Sequence, residues 1–87
     1  MFRIIYTDRA ALDVQRHTNA GLKRRIDFLI CQLQTHPFSG GGEVETLKHT
    51  DGRKLFSRRI DRRHRLVYSV DETEMSVCIL SAYGHYF

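Results

Sequence analysis

Between residues 22 and 33 the apolar side chains Leu22, Ile26, Leu29, Ile30 and Leu33 fall at i, i+4, i+7, i+8 and i+11. That is the period of an α-helix. It lays one apolar stripe along about four turns, with Lys23, Arg24 and Asp27 on the far side. A helix that is apolar on one side must be covered. Pro37 and the Ser-Gly-Gly-Gly run at 39–42 end it, and the chain beyond them has a different character. "KLFSRRI" (54–60), "RLVYSV" (65–70) and "MSVCILSAY" (75–83) are β-branched or aromatic runs separated by the turn material "DRRH" and "DETE". "VETLKH" (44–49) has the makings of a further short strand.

Upstream, "MFRIIYT" reads as an opening strand. Thr7 or Asp8 is placed to cap a helix from about Arg9 that carries Leu12 and Val14, and Thr18 or Asn19 to cap the long helix. The expected architecture is α+β, in the order β-α-α-β-β-β. The two N-terminal helices pack on one face of a mostly antiparallel sheet. With 87 residues and no linker or repeat, the chain is expected to be one domain over 1–87. A chain of this size buries only about 60–65% of its unfolded surface, so its core is small.

Neither the N-terminal "MFRIIYTDRAA" nor any later run resembles a signal peptide or a membrane span. Cys31 and Cys78 sit in apolar contexts and read as small buried hydrophobes in a reducing compartment, so the expected location is the cytoplasm. None of the five histidines has metal-ligand spacing with another histidine or a cysteine, and no cofactor is expected.

The net charge of +4 leans towards an anionic partner, and the charge is concentrated. Lys48, Arg53, Lys54, Arg58, Arg59, Arg62, Arg63 and Arg65 place eight of the fourteen cationic residues within eighteen positions, offset only by Asp51 and Asp61. Strand alternation sends Arg58 and Arg59 to opposite faces, Arg58 with Phe56 and Ile60, Arg59 with Leu55 and Ser57. A three-residue turn from Asp61 to Arg63 would set Arg59 opposite Arg65. Two guanidiniums side by side repel unless an anion lies between them, and a phosphate matches their planar forks. From charge alone, a solvated face with a charged hairpin tip is an equally good reading. Glu45, the two arginines and the terminal His85 nevertheless supply the parts of a metal-free RNA cleavage. One group takes the 2′-OH proton, one protonates the leaving 5′-oxygen, and cations hold the phosphoryl charge. An aromatic such as Tyr86 can stack on a base. The remaining candidates have plainer readings: Tyr68 and Tyr83 as sheet residues, His17 and His36 at helix ends or loops, His64 in a turn.

The ordered strings "HPFSGGGEVETLKH", "FSRRIDRRHRLVYSV" and a closing "HY" resemble the YoeB/Txe toxins of the RelE superfamily, from about Pro37 to Tyr86. The resemblance implies a ribosome-dependent, metal-independent endoribonuclease that cuts mRNA in the ribosomal A site and so inhibits translation. It makes Glu45 the general base, Arg59 and Arg65 the phosphate and transition-state cations, His85 the general acid and Tyr86 the terminal tyrosine. Lys48 and His49 flank the site, and Lys54, Arg58, Arg62 and Arg63 complete the expected RNA-facing set. The implied partners are a short acidic antitoxin, the ribosome with its mRNA, and a second copy of the chain, since such toxins can dimerise.

The chain departs from the pattern at Phe56, where the family usually has Trp, and at Arg62 and Arg63, where acidic residues are common. Gly84 and Phe87 are expected to loosen and extend the end. Gyrase poisons of the same superfamily act by protein contact, and a degenerate ribosome- or RNA-binding domain is a third reading. Retention of Glu45, Arg59, Arg65, His85 and Tyr86 together favours the nuclease.

Overall fold

The computed structural model describes residues 1–47 and 54–84. Strand β1 (Arg3–Tyr6) leads into helix α1 (Asp8–Arg16) and helix α2 (Ala20–Leu33). Four strands come after them: β2 (Glu45–Leu47), β3 (Leu55–Arg59), β4 (Arg65–Asp71) and β5 (Ser76–Ser81). They form one sheet in the order β1-β5-β4-β3-β2. The expected α+β layout holds, with one strand more than the anticipated order. The β2–β5 part is antiparallel throughout, and β1 docks parallel to β5 from Arg3↔Ser76 to Tyr6↔Ile79. The first strand therefore closes against the last, and the N-terminal and C-terminal strands are neighbours in the sheet.

Each helix begins on the residue type that local chemistry favours. The Thr7 hydroxyl accepts from the Ala10 amide at 3.0 Å and donates to the Leu80 carbonyl at 3.2 Å, so one side chain caps α1 and ties it to β5. Asn19 caps α2 by accepting from Leu22 N at 3.0 Å. The stripe of α2 does what its period requires: Ile26, Leu29, Ile30 and Leu33 are buried with Phe56, Ile60, Leu66, Tyr68, Val77 and Ile79 in one core, and Leu22 packs at its edge. Among the described residues, no helix is long and apolar enough to cross a membrane.

Two expectations need correction. Leu12 points into solvent, and α1 instead buries Ala10 and Asp13. The Asp13 carboxylate accepts from Ala82 N at 3.0 Å, with Arg9 Nε at 3.4 Å. A buried carboxylate needs such partners. Cys31 is exposed on α2 and Cys78 is half-buried, so neither is the core hydrophobe its context suggested. His17 does end α1, as its C-cap, and it is buried there, its ring Nε2 donating to the Ala82 carbonyl at 2.7 Å.

Candidate active site

The hairpin joining β3 to β4 organises the basic cluster. Asp61 builds its turn: Oδ1 accepts from the amides of Arg63 and His64, each at 2.9 Å, while the Ile60 amide donates to the His64 carbonyl at 2.9 Å. Burial would push the Asp61 carboxyl up, but those two amide bonds and the positive charge of His64 and His17 outweigh it and hold the carboxyl below its usual value. The turn fixes the register, and Arg59 pairs directly with Arg65 on the face away from the helices. Ser57 lies opposite Glu45 on the same face.

Acidic side chains accompany both arginines. Arg65 Nε donates to Ser57 Oγ at 2.9 Å, and its Nη2 reaches the Glu43 carbonyl at 3.1 Å and Glu45 Oε1 at 2.9 Å. The Arg65 side chain is only 11% exposed, whereas Glu45 is 52% exposed. The guanidinium is thus a fixed, half-sunk cation with an accessible carboxylate against it. Arg59 Nη1 pairs with Glu43 Oε1 at 3.2 Å, with both side chains well exposed. A solvated pair of that kind is worth about 0–1 kcal/mol, so a phosphate could displace Glu43 from Arg59 at little cost.

Glu43 was not singled out from the sequence. It is an i−2 neighbour of Glu45, but it lies before the strand, where alternation says nothing. Its backbone sits at φ 50°, a left-handed conformation rare for a side chain of this kind. The loop that imposes this is anchored by Arg58, and here the sequence reading is overturned. Arg58 is not an RNA-facing residue: it is fully buried, on the helix side of the sheet. Its Nε donates to Tyr68 Oη at 3.1 Å, Nη1 to Gln32 Oε1 at 3.1 Å and to Gly41 O at 3.4 Å, and Nη2 to Ser39 O at 2.7 Å and to His36 O. Tyr68 Oη in turn donates to Pro37 O at 2.8 Å, and burial raises the phenol's pKa, partly offset by Arg58.

The guanidinium therefore gathers the 36–41 loop around itself with neutral acceptors. At the loop's end the Gly42 carbonyl accepts from Arg59 N. Gly42 has φ +86°, and an added Cβ would lie 3.0 Å from Arg59 O, so only glycine fits this crossing. Glu43 and Glu45 are delivered to the two arginines from this fixed point.

The other candidates divide by place. Arg62 and Arg63 are exposed at the hairpin tip, beside the Arg59–Arg65 pair in sequence. Lys54 lies at the opposite end of β3. There it lines a wide cleft of about 760 Å³ with Phe38, Asp71 and Glu72. That cleft is away from the arginine pair, and its acidic lining does not suit an anion. Lys48, His49, His85, Tyr86 and Phe87 lie outside the described residues. The peptide just before His85 is held beside the site: the Gly84 carbonyl accepts from the amide of Arg65 at 3.0 Å. Gly84 adopts φ +74° with its carbonyl and amide both bonded, so it is a fixed turn residue and not the loosening element expected.

Chemically, the arrangement combines two cations spaced by sheet register, the carboxylates of Glu43 and Glu45 against them, and a serine hydroxyl that orients the more buried cation. Such a set can bind a phosphodiester and take a proton from a neighbouring hydroxyl.

The chain matches the family described as YoeB-like toxin of bacterial type II toxin–antitoxin systems over residues 6–86. It is 47% identical over 64 residues to Toxin YoeB of Mycobacterium bovis, covering 72% of this chain and 71% of that one. Its fold superimposes on a YoeB/ParE toxin from Agrobacterium tumefaciens with a TM-score of 0.86 and 30% identity, covering 98% of this chain and 100% of the other. It also resembles a chain of the heterotetrameric YoeB–YefM toxin–antitoxin complex from Staphylococcus aureus, at TM-score 0.77 and 29% identity over 99% of both chains.

Proposed function

The chain belongs to the YoeB-like toxins of bacterial type II toxin–antitoxin systems, and on that premise we propose that it is an endoribonuclease that cuts mRNA in the ribosomal A site without a metal. The observation that carries this reading is the Glu45 carboxylate 2.9 Å from the sunken Arg65 guanidinium, with Arg59 in register beside it. Glu45 takes the proton of the ribose 2′-OH. The 2′-oxygen attacks phosphorus, and Arg59 and Arg65 hold the charge that gathers on the non-bridging oxygens. His85 protonates the departing 5′-oxygen, and Tyr86 stacks on a base. The products are a 2′,3′-cyclic phosphate (or the 3′-phosphate from its opening) and a 5′-OH.

Arg62 and Arg63 at the tip, with the net charge of +4, suit docking on ribosomal RNA in the cytoplasm. The same surface suits an antitoxin segment that is acidic and folds across the arginine face on binding. Primer extension on a defined mRNA tests the activity, comparing naked RNA with RNA on programmed ribosomes. Cuts inside the decoding codon that require the ribosome and fade with Glu45→Gln and His85→Ala are expected. An antitoxin-free protein that leaves ribosome-bound mRNA intact would overturn the reading and leave the basic face as a docking surface.

A further inference from the structure

The last described residues are held by side chains that the proposed chemistry does not use. Ala82 is gripped from α1, with its amide on Asp13 Oδ2 at 3.0 Å and its carbonyl on His17 Nε2 at 2.7 Å. Gly84 is gripped from the β3–β4 hairpin, with its carbonyl on Arg65 N at 3.0 Å and its amide on His64 Nδ1 at 2.8 Å. The His64 ring lies against His17 and Tyr83, with centroids 4.7 and 4.5 Å away, and Arg16 covers the Tyr83 ring, 3.7 Å from its centroid.

We propose that His64 is a positioning residue of the site: by accepting the Gly84 amide on Nδ1 it sets the direction in which the chain delivers His85. This rests on the ribonuclease reading. Only one peptide bond separates Gly84 from His85, and the Gly84 carbonyl in that bond is tied to Arg65 of the site. With φ +74°, Gly84 occupies a conformation that turns the chain sharply, and its two backbone bonds fix both peptide planes around it. Removing one leaves the residue free to pivot on the other. A misplacement of about 1 Å at a reacting group costs on the order of 100-fold in rate.

The same geometry makes the tether acid-sensitive. An Nδ1 that accepts an amide hydrogen carries no proton of its own, so the imidazolium cannot make this bond. The charged and titratable groups facing the ring come from three elements. On its own turn, Asp61 favours protonation and Arg63 opposes it. From α1 and its end, Arg16 and His17 oppose it. Tyr83 packs on it from the segment after β5. Burial is the largest influence, and the net effect holds His64 below its ordinary value of 6.5. At neutral pH the tether is intact.

The test compares wild type with His64→Asn, whose Oδ1 stands near the place of Nδ1 and does not titrate, and with His64→Leu, which has no acceptor. Single-turnover cleavage of ribosome-bound mRNA should fall about 100-fold in His64→Leu with ribosome affinity unchanged, and return to within a few fold in His64→Asn. As the pH falls from 7.5 to 5.5, wild type should lose rate more steeply than His64→Asn. Independently of activity, the Gly84 amide in wild type should be protected from hydrogen exchange at pH 7.5 and lose protection on acidification, while His64→Asn keeps it.

A folded His64→Leu that cuts at the wild-type rate would overturn the proposal, as would a Gly84 amide that exchanges freely at pH 7.5. Should wild type cut nothing on ribosomes, the ribonuclease reading fails, and Gly84 protection still decides whether His64 holds the chain end.

Discussion

Replacing Arg58 by methionine keeps the apolar stem of the side chain and deletes all of its donors. Five acceptors lose a partner: Tyr68 Oη, Gln32 Oε1 and the carbonyls of His36, Ser39 and Gly41. Tyr68 Oη is buried with the guanidinium and keeps its bond to Pro37 O, but loss of the donor it accepts from costs about 1–3 kcal/mol. The other four lie where water can partly replace the donor, so each contributes about 0.5 kcal/mol. Recovery of the cation's desolvation penalty offsets part of this, and a net loss of about 3 kcal/mol is expected.

A domain of this length holds only about 4–13 kcal/mol in total. At about 4–8 °C per kcal/mol, the melting temperature should fall by about 12–24 °C. Thermal unfolding followed by circular dichroism reads this directly, and Arg58→Lys, which keeps the charge but has three donors for five acceptors, should fall between the two. The variant should also lose cleavage while still folded at low temperature, because the 36–41 loop carries Glu43 and Glu45 to their places. Melting of Arg58→Met within about 4 °C of wild type would refute the argument that this guanidinium holds the loop together.

Glu45→Gln should lower single-turnover cleavage by about 10²–10⁴ and Arg65→Ala by about 10²–10³, with unchanged melting for Glu45→Gln; near-normal rates would remove these residues from their roles. His64 and Asp61 both have folded pKa values below their ordinary ones of 6.5 and 3.8. As pH falls through those ordinary values, the unfolded chain takes up the protons first. The His64 contribution is therefore complete above about 6.5 and the Asp61 contribution above about 3.8, each being lost below. Urea midpoints should fall below about pH 6.5, as the His64 contribution is lost, and fall again below about pH 3.8, as the Asp61 contribution is lost; a rise in either window would contradict the sign. Gly42→Ala should destabilise more than Gly84→Ala. Both force a left-handed backbone at about 1 kcal/mol, but only at Gly42 does the new Cβ meet backbone, 3.0 Å from Arg59 O; equal melting temperatures would count against the crossing at Gly42.

Local physics was legible in the chain wherever one residue's neighbours in sequence are also its neighbours in space. The period of Leu22 to Leu33 specified α2 and its buried face. Alternation along Ser57-Arg58-Arg59 separated the two arginines, and the short turn at Asp61 set Arg59 against Arg65. The strings around Glu45, "SRRI" and "HRLVY" carried the family.

What alternation cannot say is which face turns inward. Arginine is ordinarily exposed, and Arg58 is buried only because α2 brings Gln32 and the loop after it brings three carbonyls to satisfy its donors. Nor can it show that Thr7 reaches Leu80, that His17 meets Ala82 across 65 residues, or that a turn histidine receives the Gly84 amide. The first two depend on the parallel docking of β1 on β5, a closure over most of the chain length that no local pattern encodes, and the third on the pairing of β4 with β5. Sequence alone determined the elements and the family of this protein. Tertiary packing decided which cations are structural, which acidic residues face Arg59 and Arg65, and what holds the chain beside them, because each depends on groups that only the closed sheet brings together.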